Sequence, residues 1–448
     1  MLVDTIVAIS TALKDGAISI VRMSGKEAIE VANRLFSRNL QAVATHTIHY
    51  GWIHDPQTRE DVDEVFVSVF RSPKTFTRED VVEINCHGGI YITKKIVELC
   101  LREGCRLATP GEFSQRAFLN GRIDLTQAEA IHDMIMATHS REAQLAVAGI
   151  KGSVKQLLDP LLQELLDVIA AIEVHIDYPE YDSVEEISEQ ILKPKVVHWR
   201  AQMDKILKQA ASGQLLKAGI KTAIVGKANV GKSSLLNALL EEDKAIVSEI
   251  EGTTRDVVEG FVEVGGVTLH LLDTAGIRNT KDVVEKIGID RSRKAMEAAQ
   301  LIFLVFDASK DVDEEDIKLL KLTENKQRIC IYNKKDRMHD QSEKDGVYIS
   351  AKNKDIEQLR NKIQEIFLKD MHIVEQPILQ NERHIAQMHK AKVAMENVAA
   401  NLEHASDLDL DILAIDLQAS YYALKDILGE VSRDDLLDTL FSKFCLGK

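Results

Sequence analysis

The stretch GKANVGKS at residues 226–233 decides the fold of a large part of this chain. The apolar run TAIV precedes it at residues 222–225, and the apolar pattern SLLNALL follows at residues 234–240. A strand, a glycine-rich loop and a helix in this order are the setting of a G-x-x-x-x-G-K-[ST] phosphate loop, because glycines let the backbone approach phosphate oxygens and helix N-terminal amides point at the anion. Lys232 is the predicted cation for the β- and γ-phosphates, and Ser233 the predicted hydroxyl ligand of Mg²⁺. The alternative is an ordinary strand-to-helix turn.

Length and composition place the chain among multidomain globular proteins. It has 448 residues, of which 45% are hydrophobic and 28% charged, with a formal net charge of −15. No apolar run reaches the roughly 18 residues of a membrane-spanning helix, and the N-terminus lacks the pattern of a secretion signal. Five thinly spread cysteines favour a reducing compartment, so we expect a cytoplasmic protein without a membrane association.

Four further motifs follow the phosphate loop in a fixed order. They are GTTRD at residues 252–256, DTAG at 273–276, NKKD at 333–336 and SAK at 350–352. Thr254 is suited to complete the Mg²⁺ coordination, Asp273 to hold Mg²⁺ directly or through water, and the amide of Gly276 to meet the γ-phosphate. The Asp336 carboxylate can accept two hydrogen bonds from guanine, and the 350–352 loop can support guanine O6. Together with alternating strands and helices, these motifs predict a GTPase domain around a parallel sheet.

The residue after DTAG raises the question of how hydrolysis occurs. Regulatory GTPases place a water-orienting glutamine there, whereas this chain has Ile277. An arginine finger is not evident from the sequence either. Asp282, Glu285 and Asp290 are nearby acids, and a solvated helix face is the alternative for each.

The flanking segments have different patterns. Residues 1–118 mix strand patterns, such as those at 17–22 and 65–70, with a helical pattern over 90–102, and predict an α+β domain. The polar, glycine-rich loops at 79–89 and 110–122 either bind a ligand or are plain surface loops. Residues 124–212 are helical almost throughout, as is the sequence from 378 to 446.

The motifs resemble one family, the tRNA-modification GTPases called MnmE or TrmE. The resemblance rests on GKANVGKSSLLNAL, EGTTRDVV, DTAGIRNTKDVVEKIGIDRS and NKKD, and outside the GTPase motifs on DTIVAIST, IVRMSG, FTREDVVEINCHGG, PGEFSQRAFLNGRIDLTQAEAI and the terminal FCLGK. It covers essentially the whole chain. It implies an N-terminal tetrahydrofolate-binding and dimerisation domain (1–118), a discontinuous helical domain (119–215 and 378–448) and an inserted Ras-like P-loop GTPase domain (216–377).

The same resemblance implies a function and partners. Family members use GTP and K⁺ to install an aminomethyl-type group on the wobble uridine of certain tRNAs, together with an FAD-containing partner of the MnmG (GidA) type in a heterotetramer. A 5-formyl- or methylene-tetrahydrofolate supplies the one-carbon unit.

Site residues follow from the resemblance position by position. Asn229, with Ser248, Ile250 and Thr253, matches the K⁺ ligands, and Glu285 matches the acid that orients the attacking water through a second water. Arg22, Glu83, Arg122 and Lys448 match the folate-binding positions, with Arg122 standing where the family has lysine. Cys445, in a terminal CLGK where the closest family form is CIGK, is either a chemically active thiol or a packed cysteine.

The predicted GTP-binding set is Asn229, Val230, Gly231, Lys232, Ser233, Ser234, Ser248, Glu249, Ile250, Glu251, Gly252, Thr253, Thr254, Asp273, Thr274, Ala275, Gly276, Asn333, Lys334, Asp336, Ser350, Ala351 and Lys352. The predicted catalytic set is Glu285, Lys232, Thr254 and Cys445.

Three functional classes stay open at this point. The first is a folate-using tRNA-modifying GTPase, the second a GTPase that assists assembly, for example of ribosomes, and the third a slow signalling switch. The N-terminal domain and the terminal FCLGK favour the first, because an assembly factor has no need of a folate pocket. Potassium-stimulated hydrolysis by the isolated protein would count against the third.

Overall fold

The fold is described from a computed structural model, which describes residues 4–177, 192–242, 260–272, 294–338, 345–367, 378–404, 410–431, 434–442, 444 and 447. The chain divides into two units. One comprises residues 1–132, 149–155 and 421–448, and the other residues 133–148 and 156–420. We call them the N-terminal unit and the nucleotide unit. The chain therefore leaves the N-terminal unit and returns to it.

The strands are β1 (Ile6–Ile9), β2 (Ile18–Ser24), β3 (Thr47–His54), β4 (Asp61–Phe70), β5 (Val81–His87), β6 (Arg106–Leu107), β7 (Ile220–Val225), β8 (Gly260–Val264), β9 (Val267–Leu271), β10 (Leu301–Asp307), β11 (Arg328–Asn333) and β12 (Val347–Tyr348). The helices are α1 (Ala28–Leu35), α2 (Ile90–Arg102), α3 (Glu112–Leu119), α4 (Leu125–Met136), α5 (Ser140–Ile150), α6 (Ser153–Asp177), α7 (Lys193–Ala218), α8 (Lys232–Glu242), α9 (Glu314–Leu322), α10 (Glu357–Phe367), α11 (Glu382–His404), α12 (Leu410–Leu428) and α13 (Asp434–Phe441).

A mixed sheet organises the N-terminal unit, with strand order β3-β4-β5-β2-β1-β6. Buried and exposed side chains alternate along parts of its strands, because successive side chains of a strand point to opposite faces of the sheet. Val65, Val67 and Val69 of β4 are buried in the core that α1 and α2 help to form, whereas Phe66 is exposed. One face of the sheet thus carries this core, and the other carries polar and exposed apolar side chains together with a smaller buried cluster that includes Ile6, Ala8 and Phe113.

The register of two central strands brings predicted site residues together. β2 and β5 are antiparallel, and Arg22 lies directly opposite Glu83. Their sequence neighbours Met23 and Ile84 are fully buried. Since alternation sends Arg22 and Glu83 away from that core, the two charged side chains meet on the opposite face.

The C-terminal segment completes the N-terminal unit. Helix α13 packs against α3, and Phe441 and Phe444 are buried in the same cluster as Ala117 and Leu125. The hydrophobic contact of these phenylalanines holds the last described residues against the N-terminal unit.

The nucleotide unit contains a second sheet, of order β12-β11-β10-β7-β9-β8. Strands β12, β11, β10, β7 and β9 are parallel, and β8 pairs antiparallel with β9 at the edge. The central strand β10 is buried from Leu301 to Phe306, as its continuous apolar run predicts. The loops after β7, β10 and β11 meet at one edge, because parallel strands end on the same side, and this is where α/β sheets bind ligands.

Long helices form the rest of this unit. Helix α7 packs against α11, and the indole of the fully buried Trp199 donates to Glu164 of α6 at 2.8 Å. Helix α6 continues through Pro160. None of the described helices combines the length and the apolar character needed to cross a lipid bilayer.

Candidate functional site

The phosphate loop joins β7 to α8 as predicted. The Lys232 ammonium donates to the carbonyls of Gly226 and Lys227, at 2.7 Å each. Burial lowers the pKa of Lys232. Ser233 and Ser234 lie in the first turn of α8. Charge-assisted hydrogen bonds to phosphate oxygens are stronger than those to neutral carbonyls, so the Lys232 ammonium can exchange its carbonyl partners for phosphate oxygens.

Gly231 shows why the loop needs glycine. Its φ is +100°, and a Cβ there would lie 2.1 Å from Nδ2 of Asn333. A side chain would therefore be strained by its backbone conformation and would displace Asn333. The phosphate loop and the NKKD loop are in direct contact at this point.

Asn333, the first residue of NKKD, ties three loops together. Its Nδ2 donates to the Val230 carbonyl at 2.9 Å, and its Oδ1 accepts from the amides of Lys334 and Ala351 at 2.8 and 3.0 Å. Asn333 is buried. Loss of this side chain would leave buried backbone groups without partners, so Asn333 holds these loops together.

Lys334 makes a second connection to the phosphate loop. Its ammonium donates to the Asn229 carbonyl at 2.7 Å and to Oδ2 of Asp307, at the end of β10, at 2.6 Å. Asn229 itself is in the left-handed region, with φ +64°, and its side chain is exposed. The backbone of Asn229 is thus fixed, while its carboxamide faces solvent.

Asp336, the predicted guanine-binding carboxylate, is held by a neighbouring hydroxyl. Its Oδ1 accepts a hydrogen bond from the Ser350 hydroxyl at 2.6 Å, and this bond lowers the pKa of the Asp336 carboxyl. Ala351 and Lys352 follow in a short 3₁₀ turn, Ala351–Asn353. A carboxylate kept ionised can accept both N–H groups of guanine, which adenine does not present.

Lys227 is a residue that the sequence reasoning missed. Its ammonium bonds the carboxylates of Asp313 and Asp316, the latter at 2.8 Å, and the bond to Asp313 is the main cause of the raised pKa of Lys227. Asp316 is only 4% exposed. Asp313 caps α9, and the capping box with Asp316 was a sequence signal that could have located this helix start. The ion pairs connect the phosphate loop to α9.

Part of the predicted nucleotide site lies outside the described residues, as do the other predicted K⁺ ligands, the predicted water-orienting acid and two C-terminal positions. These are Ser248, Glu249, Ile250, Glu251, Gly252, Thr253, Thr254, Asp273, Thr274, Ala275, Gly276, Glu285, Cys445 and Lys448.

The N-terminal unit contains a separate cavity of about 850 Å³. Arg22, Glu83 and Arg122 all line it. Nε of Arg22 lies 2.8 Å from Oε1 of Glu83, and Nη1 of Arg22 donates to the Gly447 carbonyl at 3.1 Å. The structure therefore brings three of the four predicted folate positions to one cavity and places the residue before the fourth beside them.

Aromatic rings separate the two arginines in this cavity. Arg22 lies over the ring of Phe113, 5.8 Å from its centre, and Arg122 lies over Phe76, at 5.2 Å. Phe76 packs in the same apolar cluster as Phe113. Neither phenylalanine was singled out from the sequence, because each looks like a core residue in an apolar pattern. A cavity with aromatic walls and a few polar groups suits a small organic ligand.

The four cysteines among the described residues are poor nucleophiles. Cys86, Cys100 and Cys105 are buried, and burial raises the pKa of each thiol, that of Cys105 to about 12. Burial also raises the pKa of Cys330. No group of His, Cys, Asp or Glu side chains within the described ranges has the arrangement of a metal site.

Comparison with known proteins gives concordant results. The family model described as "MnmE helical domain" matches residues 125–445, and the one described as "GTP-binding protein TrmE N-terminus" matches residues 5–122. The "tRNA modification GTPase MnmE" of Streptococcus thermophilus is 48% identical over 453 residues, which cover 99% of this chain and 98% of that protein. The protein of the same name from Ligilactobacillus salivarius is 47% identical over 457 residues, covering 99% and 98%.

Solved structures resemble a part of the chain. A crystal structure of Aquifex aeolicus Era with GDP and AlF4⁻ is 26% identical, covers 39% of this chain and 66% of Era, and has a TM-score of 0.26. The G domain of the Thermotoga maritima FeoB iron transporter is 26% identical, covers 33% of this chain and 97% of that domain, and has a TM-score of 0.26. The family follows from the full-length relatives and the two family models: this chain belongs to the MnmE family of tRNA modification GTPases.

Proposed function

We propose that this GTPase hydrolyses GTP to drive modification at C5 of the wobble uridine in certain tRNAs, with a one-carbon unit from a reduced folate. The observation that carries the proposal is the presence of two unlike ligand sites in one chain, the guanine-nucleotide loops and the cavity around Arg22 and Glu83. An assembly GTPase or a signalling switch has no use for the second site.

The nucleotide site is proposed to bind GTP with Mg²⁺. Ser233, Thr254 and Asp273 would hold the metal ion, which neutralises charge on the phosphates. Lys232 supplies a positive charge for the β- and γ-phosphates, and its present partners are exchangeable carbonyls. Asp336, oriented by Ser350, selects guanine.

A potassium ion is proposed to take the place of an arginine finger. Asn229 would hold it together with Ser248, Ile250 and Thr253. The fixed backbone and exposed carboxamide of Asn229 support this role, because the side chain is available beside the phosphate loop. Glu285 is proposed to orient the attacking water, the task that Ile277 has no group to perform.

The N-terminal cavity is proposed to bind a 5-formyl- or methylene-tetrahydrofolate. Glu83 can accept hydrogen bonds from pterin N–H groups, and Arg22 holds its Oε1 in place through the 2.8 Å ion pair. Arg122 and Lys448 would meet the carboxylates of the glutamate tail. Cys445 is proposed to act as a thiol near this ligand on the basis of its place in the terminal CLGK sequence.

A second copy of the chain and a flavoprotein are the proposed partners in the cytoplasm, with tRNA as the substrate. Support for a homodimer comes from the N-terminal sheet, where exposed apolar side chains occupy alternate positions of β3 and the adjacent β4. They are Ile48, Tyr50, Trp52 and Phe66. A contiguous apolar face of this kind marks an interaction surface. The flavoprotein of the MnmG (GidA) type is proposed from family membership alone.

Analysis of modified nucleosides tests the proposal as a whole. A strain lacking this chain should lose C5-modified wobble uridines, and the wild-type gene should restore them. Asp336→Asn should not restore them in cells that make GTP but no xanthosine triphosphate. An unchanged nucleoside profile in the deletion strain would refute the proposed function.

The hydrolysis mechanism has its own test on purified full-length protein. Replacing K⁺ with Na⁺ should abolish stimulated GTP hydrolysis, as should Glu285→Gln, whereas Asp282→Asn, a neighbouring acid, should retain it. The expected change is roughly 10³-fold or more, the range seen when a transition-state cation is removed. Full activity in Na⁺ would contradict the proposed potassium site and would favour a slow switch.

A further inference from the structure

Three cations line the N-terminal cavity in addition to Arg22. Lys74, Arg78 and Arg122 are all exposed on it. Among the described residues, none of the three forms an ion pair with a carboxylate, whereas Arg22 is paired with Glu83 at 2.8 Å. The cavity thus has a neutralised pair over Phe113 and an uncompensated positive cluster, which we call the cationic rim, around Phe76.

The segment that carries the rim is firmly held. Thr75 and Thr77 alternate with Lys74, Phe76 and Arg78, and both threonines are buried. The Thr75 hydroxyl donates to the Glu79 carbonyl at 2.6 Å, and the Thr77 hydroxyl shares a 2.7 Å hydrogen bond with Ser24. With its threonines fixed, the backbone of this segment presents its cations from defined positions.

Buried charged side chains also hold this segment in place. The Glu79 carboxylate accepts from Ser24 at 2.7 Å and from Arg116 at 3.2 Å. Arg116 is 1% exposed and also pairs with Asp4 and Glu112. Removing one partner from such a network leaves an uncompensated buried charge, so the network resists rearrangement.

Hydrogen bonds of Asn120 join the segment that carries Lys74 and Arg78 to the turn that carries Arg122. Nδ2 of Asn120 donates to the Thr77 carbonyl at 2.7 Å, and Nη1 of Arg78 donates to the Asn120 carbonyl at 2.9 Å. Arg122 follows two residues later. The turn at Asn120 therefore keeps Arg78 and Arg122 on the same side of the cavity.

We propose that Lys74, Arg78 and Arg122 select folates that carry more than one glutamate. This inference rests on the proposed folate function of the cavity. The tail of a monoglutamyl folate has two carboxylates, and each further γ-linked glutamate adds one. Three uncompensated cations exceed what a monoglutamate can neutralise, so the rim fits a tail of at least two glutamates.

Ligands of different tail length test this selection on the full-length protein. Calorimetric titration should compare 5-formyl-tetrahydrofolate monoglutamate with its triglutamate at low and high salt. We expect the triglutamate to bind about tenfold more tightly at low salt, because each exposed charge contact contributes only a few-fold, and we expect this ratio to shrink as salt screens the rim.

Reversing the charge of two rim residues tests whether the cationic rim causes the preference for longer tails. The double variant Lys74→Glu, Arg78→Glu should bring the triglutamate-to-monoglutamate affinity ratio to one or below, because the triglutamate tail carries four carboxylates and loses more affinity than the monoglutamate tail, which carries two. Lys94→Glu, an exposed cation on α2 that does not line the cavity, should retain the tenfold ratio.

Other results would overturn the inference in distinguishable ways. Equal binding of the two ligands refutes glutamate selection but leaves the folate function intact, whereas no binding of either ligand refutes both. If the double variant keeps the ratio but loses tRNA binding in a filter assay, the rim binds RNA phosphates and the inference is wrong.

Discussion

The nucleotide site and the N-terminal cavity both contain cationic side chains, yet they are assembled in opposite ways. The nucleotide site consists of short loops that each follow a parallel strand, and Asn333 and Lys334 hold the phosphate loop through its backbone carbonyls at Val230 and Asn229. The cavity instead depends on groups from distant segments: the Glu83 carboxylate lies 61 positions from Arg22, and the Gly447 carbonyl lies 425 positions from it. A site made of contiguous loops tolerates little change inside a motif, while a site made of scattered side chains loses its contacts one at a time.

The largest expected effect concerns base selection at Asp336. Asp336→Asn replaces an acceptor by a group that can donate to the C2 oxygen of xanthine, so the preference for GTP over xanthosine triphosphate should change by roughly 10⁴-fold. Steady-state hydrolysis of both nucleotides measures it. Asp355→Asn, an exposed acid that faces Lys335 at 4.0 Å, is the matched control and should keep the wild-type preference. Unchanged guanine selectivity in Asp336→Asn would remove Asp336 from the site.

Gly231→Ala should have the next largest effect. The new methyl group would meet Asn333 at 2.1 Å from a backbone with φ +100°, and the Asn333–Val230 bond would break. Backbone strain and an unsatisfied buried group together predict a roughly 100-fold weaker affinity for GDP, measured by fluorescent-nucleotide titration.

Gly266→Ala is a control that introduces a side chain at a positive φ without a steric clash. Gly266 also has a positive φ of +81°, but a Cβ there has no neighbour within 4 Å. This variant should bind GDP nearly as the wild type does. Equal losses in both variants would mean that strain alone, and not the contact between the two loops, accounts for the glycine.

A smaller effect is expected in the cavity. Arg22→Gln removes the ion pair with Glu83 and the bond to Gly447, and should weaken binding of 5-formyl-tetrahydrofolate about tenfold, because a hydrogen bond to a charged group is lost. Affinity for GDP in the same preparation should stay within about twofold. Arg59→Gln, an exposed arginine outside the cavity, should leave folate affinity unchanged. Parallel losses at both sites would show that the variant is misfolded or that the two sites are not independent.

The smallest effect is expected at Lys227. Lys227→Met breaks the ion pairs to the exposed Asp313 and the buried Asp316. The exposed pair contributes little and Asp316 keeps the hydrogen bond from the Asp313 amide, so GDP affinity should fall only about threefold. Lys227→Arg should restore most of it. Lys310→Met removes another cation from the pocket that Lys227 lines, and this variant should leave GDP affinity unchanged. A loss as large as that of Gly231→Ala would mean that the link to α9 is essential for the shape of the phosphate loop.

The two sites also differ in how far the sequence predicts them. The strand expected at 17–22 is β2 (Ile18–Ser24), and the helix expected over 90–102 is α2 (Ile90–Arg102). Both predictions succeed because apolar periodicity acts over neighbouring residues. The guanine loops are predictable for the same reason, as each is a short motif placed by the strand before it. The roles of the residues outside the described ranges stay predictions.

Contacts between distant segments could not be predicted from periodicity. The pairing of Arg22 with Glu83 depends on the register of β2 against β5, which the local pattern of neither strand specifies. Lys227 and Asp313 are 86 positions apart, and each looks like an ordinary surface charge in its own segment. The edge strand β3 was not predicted at all, because its apolar residues Ile48, Tyr50 and Trp52 face outward instead of into the core.

The hydrogen bond from Arg22 to the Gly447 carbonyl has a consequence for biosynthesis. Because these residues are 425 positions apart, the N-terminal strands emerge from the ribosome long before the segment that completes their cavity. The guanine motifs are all translated by residue 352, so a nascent or truncated chain ending before residue 447 carries every nucleotide loop without the finished cavity. The Arg22–Gly447 hydrogen bond can therefore form only after residue 447 has been translated, so the cavity acquires its last described contact after all the guanine motifs are made.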